Sequence, residues 1–268
     1  MAPAIDLVAD IGEGFGRYRL GNDDAILDIV TSANIACGFH AGDPRTMDET
    51  VRNCIKKGVS IGAHPSFPDL VGFGRRAMDL SANDVRTDVL YQVGALHAFA
   101  QAHGARIQHL APHGRLGNVV VEDPMYADAV ADAVADFDPS LLVVTQEGAL
   151  ADSARKRGLR VAIAAFADRS YRDDGTLVPR SSANALVTDP AEVVARVLRM
   201  VTEGVVRSAA GRDLEVKCDT VLIHGDTPDS VRLARKLKAG LLQAGVVIKP
   251  LRYSFPSESL LTPREHGS

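Results

Sequence analysis

Short apolar runs alternate with longer amphipathic segments along most of the chain. The runs are short enough to be buried strands, whereas apolar residues in the longer segments recur every three or four positions, as on one face of a helix. An alternation of strands and helices is typical of a parallel sheet, because each crossover returns the chain to start the next strand. The predicted strands lie at 5–11, within 32–40, and at 59–63, 107–110, 141–144, 161–166, 220–223 and 246–248.

Residues with known capping preferences mark several helix boundaries. Asn22 is predicted to cap the first helix, and Ser81 with Asp84 has the pattern of a capping box at the start of a long one. Gly58 and Gly104 follow the last residues of two helical segments, where glycine commonly ends a helix. Further helices are predicted at 126–135, 148–156, 191–203 and 228–244, with a charged connection at 207–217.

Polar residues beside glycine follow nearly every predicted strand. In an open doubly wound sheet such residues concentrate at one switch point, whereas in a closed barrel they surround the carboxyl ends of the strands. The sequence therefore predicts an α/β fold with seven or eight strands in a (β/α) barrel, and the open sheet is the alternative. We expect one domain over 1–255 and a loosely attached tail at 256–268.

Composition restricts the class of ligand. The 268 residues are 46% hydrophobic and 24% charged, which is a globular profile. The 30 basic and 34 acidic residues form no long run of one sign, so we expect a small-molecule ligand, with no nucleic acid and no membrane. Cys37, Cys54 and Cys218 are an odd number and show no Cys-x-x-Cys spacing, which favours reduced thiols. No signal peptide or membrane span is predicted, so we expect a cytoplasmic protein.

Histidines and carboxylates at the predicted strand ends are the main candidates for chemistry. Asp10 and Glu13 follow the first strand, and His40 and His64 follow the next two. His113 comes after the fourth strand. Because the carboxyl ends of barrel strands meet at one rim, these side chains are predicted to converge in an acid/base or metal constellation.

His109 and His113 have the spacing His-x-x-x-His, which on a helix can hold a metal ion. Pro112 and the extended context remove that helical geometry. We therefore place His113 in the site and interpret His109 as structural.

Arginines and further polar pairs are candidates for substrate binding. Arg75 and Arg76 offer bidentate donors to a carboxylate or a phosphate, while Asp168–Arg169 and 224–226 stand at later strand ends. The chain has no P-loop, no Gly-x-Ser-x-Gly nucleophile elbow and no dinucleotide fingerprint. Chemistry by histidine and carboxylate therefore remains the prediction.

Several long motifs resemble one known family. The most distinctive is Ser-Ala-Asn-Ile-Ala-Cys-Gly-Phe-His-Ala-Gly-Asp at 32–43. Others lie at 9–14, 61–69, 72–76, 91–96, 112–114, 166–169, 178–181 and 224–226, so that the similarity covers about 6–250. On these motifs the chain resembles the LamB/YcsF family of lactam utilisation proteins, whose bacterial members include the A subunit of 5-oxoprolinase.

The resemblance implies a seven-stranded (β/α) barrel of the glycoside hydrolase/deacetylase type. It also implies opening of 5-oxo-L-proline to L-glutamate with ATP, together with two further subunits; a divalent metal and a homo-oligomer are left open. A histidine or carboxylate would activate water or the lactam, and arginine would hold an anionic group. The catalytic candidates are Asp10, Glu13, His40, His64, His113 and Asp168. The substrate-binding candidates are Asn34, Arg75, Arg76, Arg169, His224 and Asp226.

The chain departs from the family pattern at three places. Ala111 and Gly117 stand where the family has lysine and tyrosine in Lys-Pro-His-Gly-x-Leu-Tyr-Asn. An alanine, 164 or 165, stands near where a glutamate precedes Phe-Ala-Asp-Arg. A cation, a phenol and a carboxylate are thus missing from one region of the predicted site.

Two alternatives to the lactam-opening function stay open. The first is a metal-dependent hydrolase of the deacetylase kind, with Asp10, His40 and His64 as ligands and His113 as acid or base. The second is a family member whose catalysis is lost or altered.

Overall fold

The computed structural model of the protein describes residues 2–223 and 229–251. In this part of the chain ten strands occur. In chain order they are β1 (Ala4–Ile11), β2 (Ser32–Ala36), β3 (Ser60–His64), β4 (Ile107–Leu110), β5 (Leu142–Thr145), β6 (Arg160–Phe166), β7 (Val205–Arg207), β8 (Asp213–Glu215), β9 (Thr220–Ile223) and β10 (Val247–Ile248).

Seven of these strands close into a parallel barrel. They follow the order β1-β2-β3-β4-β5-β6-β9, and β9 pairs with β1 to complete the ring. Strand β1 pairs with β2 through Val8–Ile11 and with β9 through Asp6–Ala9, so both of its edges are used. The short β10 adds to the amino end of β1. The predicted seven-stranded barrel is confirmed, and the open sheet is excluded.

Helices cover the outside of the barrel. Those in the described residues are α1 (Asp23–Leu27), α2 (Pro44–Lys57), α3 (Ala82–Ala102), α4 (Gly114–Glu122), α5 (Pro124–Phe137), α6 (Ala149–Lys156), α7 (Pro190–Thr202) and α8 (Ser230–Gln243). None of them combines the length and apolar character that a membrane span requires.

The capping predictions hold at three helix boundaries. The Asn22 side chain accepts from the Ala25 amide, and Ser81 with Asp84 forms a complete capping box. Gly58 ends α2 in the left-handed conformation. These boundaries were predictable because capping depends on residues adjacent in sequence.

Two elements were not predicted. Helix α4 begins directly after His113, where a proline and two glycines in the sequence suggested a loop. The charged connection at 207–217 contains most of the antiparallel hairpin β7–β8. The predicted tail at 256–268 and the end of the predicted domain lie outside the described residues, so that boundary stays a prediction.

The barrel interior has a polar half and an apolar half. Alternate residues of β1 to β3 bring Asp6, Asp10, Asn34 and His64 inside, all of them buried. The side chains from β5 and β6 are aliphatic and form a separate apolar cluster with Ala111. At the base, the Asp6 carboxylate accepts hydrogen bonds from the hydroxyls of Ser32 and Thr220, at 2.6 Å each, and ties three strands together.

Candidate active site

A cavity of about 360 Å³ opens at the carboxyl ends of the barrel strands. Asp10 reaches it from β1 and His64 from β3, while His113 precedes α4. This is the rim at which barrel enzymes place their chemistry. A larger cavity of about 680 Å³ lies at the amino ends of the strands and borders Leu251, the last described residue. Three of the predicted candidates, Asp10, His64 and His113, line the smaller cavity, so we regard the smaller one as the site.

Backbone carbonyls fix the protonation of His64 and His113. His64 Nδ1 lies 2.6 Å from the carbonyl oxygen of Ala111, and His113 Nε2 lies 2.9 Å from that of Phe73. A carbonyl only accepts, so each of these nitrogens carries a hydrogen. In the neutral rings the other nitrogens then present lone pairs, and these face each other at 3.0 Å.

Burial keeps His113 neutral. It lowers the pKa of His113 to about 3. A proton or a metal ion between the two facing nitrogens would relieve the contact between their lone pairs.

Two carboxylates complete the cluster. Asp10 Oδ1 lies 3.2 Å from His64 Nε2, and Glu13 Oε1 lies 3.6 Å from His113 Nδ1. The ligand atoms of these four residues all lie within 4.8 Å of one another. Protein ligands bound about 2.1 Å from a single zinc ion stand about 3.0–3.6 Å apart. The contacts of 3.0, 3.2 and 3.6 Å in the cluster lie in this range, while separations approaching 4.8 Å would have to shorten around an ion, so the four residues are a candidate group for a divalent cation.

His40 lies behind this cluster. Its ring stacks on that of His113, with centroids 3.7 Å apart, and its Nε2 lies 3.2 Å from Glu13 Oε1. Burial holds the pKa of His40 well below its usual value. The candidate metal group contains Glu13 and His113 beside the predicted Asp10 and His64. His40, the third residue of the predicted set, instead has its two ring nitrogens beside Ser66 and Glu13.

Residues outside the predicted set hold the cluster in place. The Ser66 hydroxyl lies 3.1 Å from His40 Nδ1. The Gln92 side chain accepts from the Ser66 amide and donates to its carbonyl, at 2.9 Å each. Gln92 is fully buried on the apolar stripe of α3. A glutamine among the apolar residues of a buried helix face indicates a buried polar contact, and this is the feature of the sequence from which the role of Gln92 could have been predicted.

Arginines surround the mouth of the cavity. Arg75, Arg169 and Arg180 all line it. Arg169 is only 4% exposed and donates to the Val178 carbonyl at 2.6 Å. Burial, with the nearby charge of Arg180, lowers its pKa to about 10. Arg180 was not assigned a role from sequence, although it lies within one of the family motifs.

The remaining candidates lie away from the cavity. Arg76 pairs with the buried carboxylate of Asp69 and does not line the cavity. Asn34 and Asp168 are buried and do not line it either. Asn34 is completely buried and both ends of its amide bond to other side chains, which argues against the predicted direct contact with substrate. His224 and Asp226 lie outside the described residues.

Residues 5–255 match the model of the LamB/YcsF family. The chain belongs to this family. The match confirms the resemblance found in the sequence motifs and covers every described residue of the cavity.

Relatives in the LamB/YcsF family share much of the sequence. The chain is 47% identical over 248 residues to a protein of Pyrococcus furiosus named as the A subunit of 5-oxoprolinase, covering 92% of this chain and 97% of that one. A Bordetella pertussis protein of the same name is 48% identical, covering 93% and 99%. The crystal structure of a lactam utilization protein from Thermus thermophilus matches with a TM-score of 0.87 and 46% identity, covering 92% and 99%.

The three departures from the family pattern meet in the cavity. Ala111, Gly117 and Ala164 line it, whereas Ala165, the alternative for the third position, does not. A Cβ atom added to Gly117 would lie 2.4 Å from the carbonyl oxygen of Pro112. A tyrosine at 117 therefore requires a shift of the backbone. Ala111 and Ala164 belong to the apolar cluster of β5 and β6, which forms the apolar wall of the cavity.

Proposed function

We propose that the protein is the A subunit of a 5-oxoprolinase. It would hydrolyse the cyclic amide of 5-oxo-L-proline to give L-glutamate, using ATP and two further subunits. Relatives with this name at 47–48% identity support the assignment. The observation that carries it is the cluster of His64, His113, Asp10 and Glu13, whose basic atoms converge at a cavity lined by arginines. The expected cytoplasmic location stays a prediction.

The cluster is suited to activating water. Water would add through its oxygen to the lactam carbonyl carbon, and its proton would pass to a lone-pair nitrogen of His64 or His113. The carbon–nitrogen bond then breaks as the ring nitrogen gains a proton. A lactam carbonyl is a poor electrophile; transfer of the terminal phosphoryl group of ATP to its oxygen, with release of ADP, would make the carbon susceptible to water in the complete complex. Ring opening would then leave an acyl phosphate, and its hydrolysis by a second water would release inorganic phosphate and L-glutamate. Arg75 and Arg180 would hold the substrate carboxylate or the phosphoryl group.

Reconstitution with the two partner subunits tests this function. The complete mixture should release glutamate from 5-oxo-L-proline only with ATP, and His113→Gln should reduce the rate because a lone-pair nitrogen is lost. Arg76→Gln is the matched control, since Arg76 pairs with Asp69 away from the cavity. A complete mixture that releases no glutamate above background would contradict the proposal and would favour altered or lost catalysis.

A metal-dependent hydrolase is the second candidate, favoured by the convergent lone pairs. Asp10, Glu13, His64 and His113 would hold the ion. A bound divalent cation supplies a Lewis acid and lowers the pKa of water. The two carbonyls that orient His64 and His113 are the outer partners expected for metal-binding histidines.

Metal content and affinity test this candidate directly. Protein purified without chelator should contain close to one zinc, manganese or cobalt ion, and Glu13→Gln should weaken the binding of added Co²⁺ in a spectroscopic titration. His103→Gln is the control, because His103 pairs with Asp48 on the surface of the protein. Equal Co²⁺ binding by wild type and Glu13→Gln would contradict the assignment of the ligands.

A further inference from the structure

Four neighbouring strands each place one residue at the level of Asp10, which is itself the residue from β1. In the strand register Asp10 pairs with Asn34, Asn34 with Gly62, and Gly62 with His109. Asn34 is 0% exposed and His109 is 1% exposed. These residues therefore form a buried row across β1, β2, β3 and β4 that ends at the active site.

The hydrogen bonds along this row run in one direction. His109 Nε2 lies 2.8 Å from Asn34 Oδ1, and Asn34 Nδ2 lies 3.0 Å from Asp10 Oδ1. Because an amide oxygen only accepts, His109 must donate through Nε2. The opposite amide orientation would turn Asn34 Oδ1 toward the Asp10 carboxylate and bring two acceptors together. The donor on His109 and the acceptor on Asp10 thus favour the same orientation of the Asn34 amide.

The missing side chain at Gly62 makes this contact possible. A Cβ atom at Gly62 would lie 1.9 Å from His109 Nε2 and 2.2 Å from its Cε1. The His109 ring therefore lies over the backbone of β3 and reaches across that strand to contact Asn34 on β2. Alanine at 62 would displace the ring without changing its chemistry.

We propose that His109 is a positioning residue, which acts through Asn34 to orient the Asp10 carboxylate in the active site. The donor from Asn34 holds Asp10 Oδ1 beside His64 Nε2, at 3.2 Å. The catalytic consequence rests on the proposed 5-oxoprolinase function, whereas the row itself does not. The sequence predicted His109 to be structural and Asn34 to contact substrate; on this proposal both serve Asp10.

Three variants separate positioning from packing. His109→Gln keeps an amide donor at a similar reach, whereas His109→Phe keeps a ring but removes the donor. Gly62→Ala displaces the intact histidine. Loss of such an outer partner typically costs about 10–100-fold in activity. We expect that loss in kcat, with little change in KM, for His109→Phe and Gly62→Ala in the reconstituted enzyme, and rescue of most activity by His109→Gln.

The activity comparison is made at matched folding, judged by melting temperature. If His109→Phe retains the wild-type kcat, the proposal is overturned. It is also overturned if His109→Gln and His109→Phe lose the same activity at the same melting temperature, because packing alone would then account for the effect.

Nuclear magnetic resonance of the purified chain tests the row without any turnover. The Asn34 side-chain amide should exchange slowly with solvent in wild type and in His109→Gln, and quickly in His109→Phe, and His109 should show the Nε2–H tautomer. Equal protection of Asn34 in all three proteins would overturn the proposal. An inactive reconstituted wild type would contradict the proposed function only, since this measurement does not depend on activity.

Discussion

Replacing Gly74 with alanine should destabilise the protein far more than a typical glycine replacement. Gly74 has a φ of +66°, and an added Cβ would lie 2.8 Å from His113 Cδ2 and 3.0 Å from the Cβ of His40. The left-handed conformation costs a residue with a side chain about 1–2 kcal/mol. Overpacking in a close-packed site typically adds about 1–3 kcal/mol. We therefore expect Gly74→Ala to lower the free energy of unfolding by about 2–5 kcal/mol.

Gly58→Ala isolates the contribution of the close contacts. Gly58 has nearly the same φ, +68°, but a Cβ added there meets no atom within 4 Å. It should therefore show only the backbone cost of about 1–2 kcal/mol. Urea unfolding of both variants and wild type measures the two values. Equal losses for Gly74→Ala and Gly58→Ala would refute the argument that the loop containing Gly74 packs tightly on His40 and His113.

Three further predictions concern binding, pH and a buried amide. Arg75→Gln should raise KM for 5-oxo-L-proline about tenfold, as expected for a lost charged contact, whereas Arg76→Gln should leave KM unchanged; steady-state kinetics of the reconstituted enzyme would contradict this if both variants behave alike. Burial lowers the pKa of His109 to about 3, so the unfolded chain binds a proton more readily and stability should fall as the pH drops from about 6.5 toward 3. Urea midpoints should fall less steeply in His109→Gln, and identical slopes would contradict the assignment. Gln92→Leu leaves the Ser66 amide and carbonyl unpaired, at a cost of about 1–3 kcal/mol each; an unchanged unfolding curve would show that these bonds contribute nothing.

The barrel was predictable because its signals are local. Each strand is a short apolar run, and Asn22, Ser81 and Gly58 mark helix boundaries through contacts within a few residues. The closure of the sheet was predictable because polar residues follow nearly every strand, as they do around the rim of a barrel. Helix α4 escaped prediction, since Pro112 indicated an extended segment, whereas the helix that follows it buries Leu116, Val119 and Val120 in the fold.

The arrangement of the site depends on contacts that sequence does not reveal. His64 and His113 are 49 residues apart, and their facing nitrogens are set by the carbonyls of Ala111 and Phe73. Every residue has a backbone carbonyl, so the sequence does not show which carbonyl will lie beside a histidine. It therefore predicted which side chains converge but not which ring nitrogen of each histidine carries the lone pair. The same limit applies to His40 and Asn34, because their ring and amide contacts with other side chains come from strands and loops that are distant in sequence.

The two halves of the barrel interior contribute different features to the site: the polar half supplies its histidines and carboxylates, and the apolar half supplies part of the cavity wall. The buried row from His109 to Asp10 and the cluster of Asp10, His64 and His113 belong to the polar half, where each side chain is held by another strand or by a backbone carbonyl. The Ala164 side chain belongs to the apolar half, whose wall faces the same cavity. A change at 164 therefore alters the space and polarity offered to a ligand while the atoms that accept protons stay in place. On the proposed function, we expect the departures at the apolar wall to affect which ligand fits, and the activation of water to depend on the polar half.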